Sequence, residues 1–161
     1  MKFFIKFEKG LSGLGALLSS LFIISLVVLI LTEIFSRTFF DKSTMIADEY
    51  SGYFYLASVF LGLGYTFSQK GHIRINILTS RLPKKIQNYF DIFAGTVTLG
   101  VISFILYRVT LMMLDSYSFD ILSEGVSETP IYLTQIPMIV GTFIFVVSLL
   151  AFLAKRMTND S

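Results

Sequence analysis

Few side chains in this sequence are suited to chemistry. It holds one histidine, His72, and no cysteine. A metal site needs several ligands, so a lone histidine reads as a hydrogen-bonding residue. Without cysteine there is no disulfide, no Cys-ligated zinc or iron–sulfur cluster and no thiol nucleophile. No Ser–His–Asp set, glycine-rich phosphate loop or H-E-x-x-H stretch is present. Met112, Met113 and Met138 lie in apolar segments, but a bis-His haem site cannot be built from them. No cofactor is expected. One cation, Arg108, falls inside a long apolar segment, where charge marks either a function or an anchor. It lies six residues from the end of that segment, about 9 Å along a helix. From there it can snorkel to the headgroups or pair with Asp115 two turns on. Glu33 and Arg37 stand at i, i+4, an ion-pair spacing on a helix that contributes ~0.3 kcal/mol.

The elements that hold these residues are set by hydrophobicity. The chain has 161 residues, of which 54% are hydrophobic and 15% charged. A soluble domain carries about 25% charged residues, and a small one has a large surface to make polar. Disordered chains, disulfide scaffolds and ordinary soluble enzymes are thereby excluded. A net charge of +2 gives no case for a nucleic-acid partner. Four segments, 11–32, 50–68, 92–114 and 129–154, are long enough to cross a bilayer, and only the third holds a charge. A helix needs about 20 apolar residues to cross a ~30 Å layer. The runs are continuous rather than alternating, so they are helices and not barrel strands. The expected fold is all-α and integral to the membrane, one four-helix domain over 1–161. The first run is longer than the core of a signal peptide and no A-x-A site follows it, so it is read as a retained helix.

Charge orients the helices. Lys2, Lys6 and Lys9, then Lys70, Arg74, Arg81, Lys84 and Lys85, then Lys155 and Arg156, lie in the first tail, the middle connection and the last tail. The segments 33–49 and 115–128 hold Arg37 and Lys42 but eight acids: Glu33, Asp41, Asp48, Glu49, Asp115, Asp120, Glu124 and Glu128. The positive-inside rule puts both termini and the middle connection in the cytoplasm and the acidic segments outside. Tyr50, Tyr53 and Tyr55 suit an outer aromatic belt. Lipid is therefore a partner of the whole chain.

Thr129-Pro130 reads as N-cap and first residue of the last helix, with Pro137 set to kink it. Small residues recur at i, i+4: Ser12, Ala16 and Ser20, then Ser58 and Gly62, then Thr96 and Gly100. Such faces serve packing within the chain or against a partner subunit, and both readings stay open. In the middle connection Ile75, Leu78 and Leu82 share one side of a short amphipathic helix with Arg74 and Arg81 beside it, suited to the headgroup layer. Pro83 then breaks or restarts the helix.

In order along the chain stand Arg37, then Asp48-Glu49, then Leu61-Gly62, then Lys70-Gly71-His72-Ile73-Arg74, then Arg81-Leu82-Pro83. On four helices of this orientation the series resembles the small membrane subunit, DctQ type, of tripartite ATP-independent periplasmic (TRAP) transporters. The resemblance covers essentially the whole chain. Arg37, Glu49, Gly62, Gly71, His72, Arg74, Arg81 and Pro83 match the family pattern. Two positions depart from it: Met45 and Ile46 stand where many relatives have Trp, and Asn76 where many have Asp.

The resemblance implies an accessory role in a bacterial inner membrane. A periplasmic binding protein delivers an organic anion, often a dicarboxylate or sialic acid. A large membrane subunit moves it with sodium, and the small subunit braces the large one. No enzymatic activity is implied. The outer acids Asp48, Glu49, Asp115, Asp120, Glu124 and Glu128 are candidates for docking the binding protein, since a one-sided charge steers encounter. Two other classes fit the bare helix count: a self-assembling small exporter, and the membrane anchor of a redox complex.

Overall fold

A computed structural model describes residues 2–69 and 83–158. The predicted amphipathic helix through Ile75, Leu78 and Leu82, with the motif residues Gly71, His72, Arg74 and Arg81, lies outside the described residues.

Four helices account for nearly all of the described chain: α1 (Lys2–Phe40), α2 (Ala47–Ser68), α3 (Lys84–Ser118) and α4 (Ile131–Thr158). Each contains one predicted apolar run, except that α4 begins two residues after the expected start. At 1.5 Å per residue, the 39 residues of α1 span almost twice a ~30 Å hydrocarbon layer, so its ends stand clear of the apolar zone. Stretches of α1, α3 and α4 are long and apolar enough to cross a membrane. α2 is shorter and mixes Gly, Ser and Tyr among its apolar residues. It is also flanked by α1 and α4, so less of its surface must be apolar.

The helices alternate in direction. Glu8 in the early turns of α1 meets Ser148 in the second half of α4. Arg156 at the end of α4 meets Asp91 at the start of α3. At the other end, Gln135 early in α4 donates to Ser116 at the end of α3. α4 is the hub, packing on α1, α2 and α3, while α1 also packs on α2.

Close approach of α1, α2 and α4 depends on missing side chains. A Cβ on Gly15 would stand 2.7 Å from the Leu61 carbonyl oxygen. One on Gly141 would overlap the Phe60 backbone. At these contacts lie Leu61 and Ile144, both buried. Aromatic edges fill the half nearer the end of α4, with Phe67 against Phe145 and Phe152 at 5.4 and 5.5 Å between centroids. Hydroxyls at the helix contacts find partners within the chain. Ser19 donates to the Ser58 carbonyl at 2.7 Å, and Thr142 to the Met138 carbonyl at 2.6 Å. In an apolar solvent each such group would otherwise cost several kcal/mol.

The small-residue stripes divide. Ser12 and Ser58 are buried, and Gly62 packs against Ser19. Ser20 is exposed and bonds within its own helix. Thr96 is exposed, and Gly100 has nothing near it. Packing within the chain therefore accounts for Ser12, Ser58 and Gly62 but not for Ser20 or for the stripe residues on α3.

Thr129-Pro130 does not open α4 as predicted. Pro130 pairs with Leu122 in an isolated antiparallel bridge, and the helix starts at Ile131. Pro137 sits inside α4, where it leaves the Leu133 carbonyl without its helical donor. Pro83 precedes α3 with φ −54° and ψ 144°, so it marks a helix start, as its fixed φ allows.

Candidate functional site

The densest polar chemistry lies at the end where α1 and α3 finish and α2 and α4 begin. Two carboxylates organise it. Glu33, buried on the last turns of α1, fastens the connection to α2. Its Oε1 accepts from Arg37 Nε at 2.6 Å and from Ser43 Oγ at 2.7 Å. Its Oε2 accepts from the Thr44 backbone N–H at 3.1 Å and from the Thr44 hydroxyl. The expected i, i+4 pair is therefore present, and Arg37 Nη2 reaches on to Ser43 Oγ at 3.1 Å. Four donors on one carboxylate fix a connection that turns through left-handed residues at Asp41 and Met45, conformations non-glycine residues adopt at a cost.

Glu49 does the same for the more distant connection between α3 and α4. Its Oε2 accepts from Ser127 Oγ at 2.7 Å and its Oε1 from the Tyr53 hydroxyl at 2.8 Å. The carboxylate lies over Gly125, where a Cβ would overlap it. Beside it, the Tyr50 hydroxyl and Thr129 Oγ1 are 3.0 Å apart. Hydroxyls, Ser123 foremost and then Ser127, hold the Glu49 carboxyl below its ordinary range against the opposing effect of burial. Hydrogen bonds to the ionised form are the cause.

The connection 119–130 is itself well ordered by backbone bonds. Ile121 N–H returns to the Ser116 carbonyl and Asp120 N–H to that of Tyr117. With Asp120 at φ 46°, this is a Schellman termination of α3, with aspartate where glycine is commonest. Ser123 N–H then bonds the Thr129 carbonyl.

The predicted outer acids thus have different surroundings. Glu49 is tied inward. Asp48, Asp115, Asp120, Glu124 and Glu128 are exposed, and Asp120 and Glu128 occupy left-handed corners. Arg108 is exposed, and among the described residues it makes no ion pair or hydrogen bond, with Asp115 or any other group. Among the described residues no group of three His, Asp or Glu could hold a metal.

A small apolar cavity of about 230 Å³ opens below this polar end, lined by Phe22, Tyr50, Phe54, Leu133 and Pro137 among others. At the opposite end, Arg156 bonds Asp91 at 2.5 Å, approaches Asn88 Oδ1 at 3.5 Å, and lies 5.6 Å from the Phe152 ring centre.

Sequence reasoning missed Glu8, Ser19, Ser127 and Gln135. A glutamine within an apolar run was the one available signal, because a buried amide must find a partner. Gln135 Nε2 finds Ser116, and its Oε1 has no partner among the described residues.

Fold and polar chemistry together define a class: a helical membrane subunit whose engaged carboxylates fasten its own connections. The comparisons give the family. Residues 26–159 match the model described as tripartite ATP-independent periplasmic transporters, DctQ component. A Haemophilus influenzae protein provisionally named a TRAP transporter small permease protein is 24% identical over 143 residues, covering 89% of this chain and 87% of that protein. The chain belongs to the DctQ family of small TRAP transporter permease subunits.

Proposed function

We propose that this chain braces the large membrane subunit of a sodium-coupled TRAP transporter for an organic anion, a dicarboxylate or a sialic acid, in a bacterial inner membrane. One observation carries the reading. Polar groups at the helix contacts are bonded mostly within the chain: the part-buried Ser19 and the buried Thr142 and Ser148 each donate to it, and Gln135 does so through Nε2, as in a scaffold element. Substrate choice then belongs to the partner subunits. Four crossings, about 11–32, 50–68, 92–114 and 129–154, with cytoplasmic termini agree with the alternating helices and the charge distribution. Residues Asp48, Asp115, Asp120, Glu124 and Glu128 would face a periplasmic binding protein and steer its approach.

The test is uptake of labelled dicarboxylate or sialic acid into proteoliposomes. Uptake should require this chain, the large subunit, the binding protein and a sodium gradient together. Full uptake without this chain would refute the bracing role. For topology, Glu124→Cys should react with an impermeant thiol reagent from the periplasm and Met157→Cys should not, since both positions are exposed.

A further inference from the structure

We infer that the face of α3 turned away from α4, with Arg108 towards its outer end, docks a membrane-spanning helix of the large subunit that carries a carboxylate at the depth of Arg108. This rests on the reading of the chain as a small permease subunit. α3 packs chiefly on α4, through Asn88, Gly95 and Ser116. Its opposite face runs through Phe93, Val97, Val101 and Phe104, all exposed. Arg108 follows Phe104 by four residues and so lies on that same face.

Depth makes the cation a selective feature. Asp91 is bound to Arg156 at the inner end. About 20 residues of helix cross a ~30 Å layer, which puts the outer boundary near residue 111. The guanidinium therefore starts from within the apolar layer, and nothing in the described chain neutralises it. In the isolated chain it can snorkel to the headgroups; a helix docked over this face closes that route, and the covered charge then calls for an opposite charge. The exposed face of α1 offers a contrast. Leu14, Leu17, Leu21, Ile24, Val28 and Leu31 form an aliphatic surface with no charge from residue 10 to 32. That surface carries no charge with which to choose a partner. Gly100 adds to the asymmetry. It lowers helix stability, and a Cβ there would meet none of the described residues, while bare backbone lets a second helix approach closely.

The chain has no cysteine, so an introduced one is unique. Cysteines replacing Val101, Phe104, Leu21 and Ile24 in turn, each carrying a photoactivatable crosslinker, are irradiated in membranes containing the co-expressed large subunit. The α3 positions should crosslink to the large subunit and the α1 positions should not. Arg108→Glu should lower co-purification of the large subunit about tenfold, the change expected for ~1.4 kcal/mol. Arg108→Lys should retain it, and the yield of this chain expressed alone should not change. Crosslinks from α1 instead of α3, or α3 crosslinks to lipid alone with normal co-purification of Arg108→Glu, would overturn the inference and leave the small-subunit reading intact. If the wild-type chain recovers no large subunit, both fall.

Discussion

α3 and α4 are neighbours joined by one ordered connection, yet they solve opposite problems. In the most apolar stretch of α4, 44% of residues are buried inside the protein; in that of α3 none is. α4 meets three helices and uses Gly141, Thr142 and Ser148 to let them close in. α3 is held mainly at its two ends, by Ser116 with Gln135 and by Asp91 with Arg156. Both helices are apolar, so hydrophobicity alone does not separate a core helix from a peripheral one. In lipid, apolar surface carries little penalty for exposure, and packing follows shape and polar contacts instead.

The largest expected effect breaks the hub. Gly141→Leu would drive a side chain into the Phe60 backbone, which cannot yield as a flexible side chain can. Overpacking in a core costs ~1–3 kcal/mol and sometimes more, and this contact belongs at the upper end. The variant should lose its cooperative unfolding transition in detergent or accumulate poorly. Wild-type unfolding of Gly141→Leu would mean that α2 and α4 do not meet as closely as they do here.

The second effect concerns the connection between the two helices, which Glu49 fastens. Its carboxyl is held below the ordinary carboxylate range by the hydroxyls of Ser123 and Ser127. A depressed pKa means that the folded state favours the ionised form. Its contribution is fully present above the unfolded pKa and is lost as pH falls through the lowered folded value. Proteolysis within 119–130, or hydrogen exchange there, should therefore increase on acidification. In Glu49→Gln it should be elevated already at neutral pH and depend less on acid. Equal pH dependence in the two proteins would assign the effect to another group.

Much of this arrangement could be read from residues, and the rest could not for definite reasons. The four apolar runs located the helices because the bilayer sets a length. The Glu33–Arg37 pair was legible because i, i+4 is a local geometry. The partnership of Glu49 with Ser127 joins residues 78 apart, and no periodicity encodes it. The packed face of α1 coincides with the predicted stripe only in part, for a geometric reason. A strict four-residue repeat, Ser12, Ala16, Ser20, drifts about 40° per step on a 3.6-residue helix. The face that packs alternates steps of four and three through Glu8, Ser12, Gly15, Ser19 and Phe22, each at least partly buried. Thr129-Pro130 had the residue types of a helix start, but Pro130 pairs with Leu122 and the helix begins at Ile131, one residue after the expected first helical position.

The smallest effect sharpens the contrast most. Gly100 lies in the interior of α3, as Gly141 does in α4, and a Cβ added there meets nothing within 4 Å. Glycine inside a helix costs roughly 0.5–1 kcal/mol relative to alanine, through backbone freedom in the unfolded chain and missing side-chain contacts. Leucine is nearly as good a helix former as alanine, and an added aliphatic group on this face would meet only lipid in the isolated subunit. Gly100→Leu should therefore unfold in detergent at the wild-type point or slightly above it, by up to ~1 kcal/mol. The same substitution thus has opposite signs on adjacent helices, because only one of the two glycines touches another backbone. If Gly100→Leu instead destabilises the isolated subunit as Gly141→Leu does, α3 is packed against something within the subunit, and its outward face is not free for a partner.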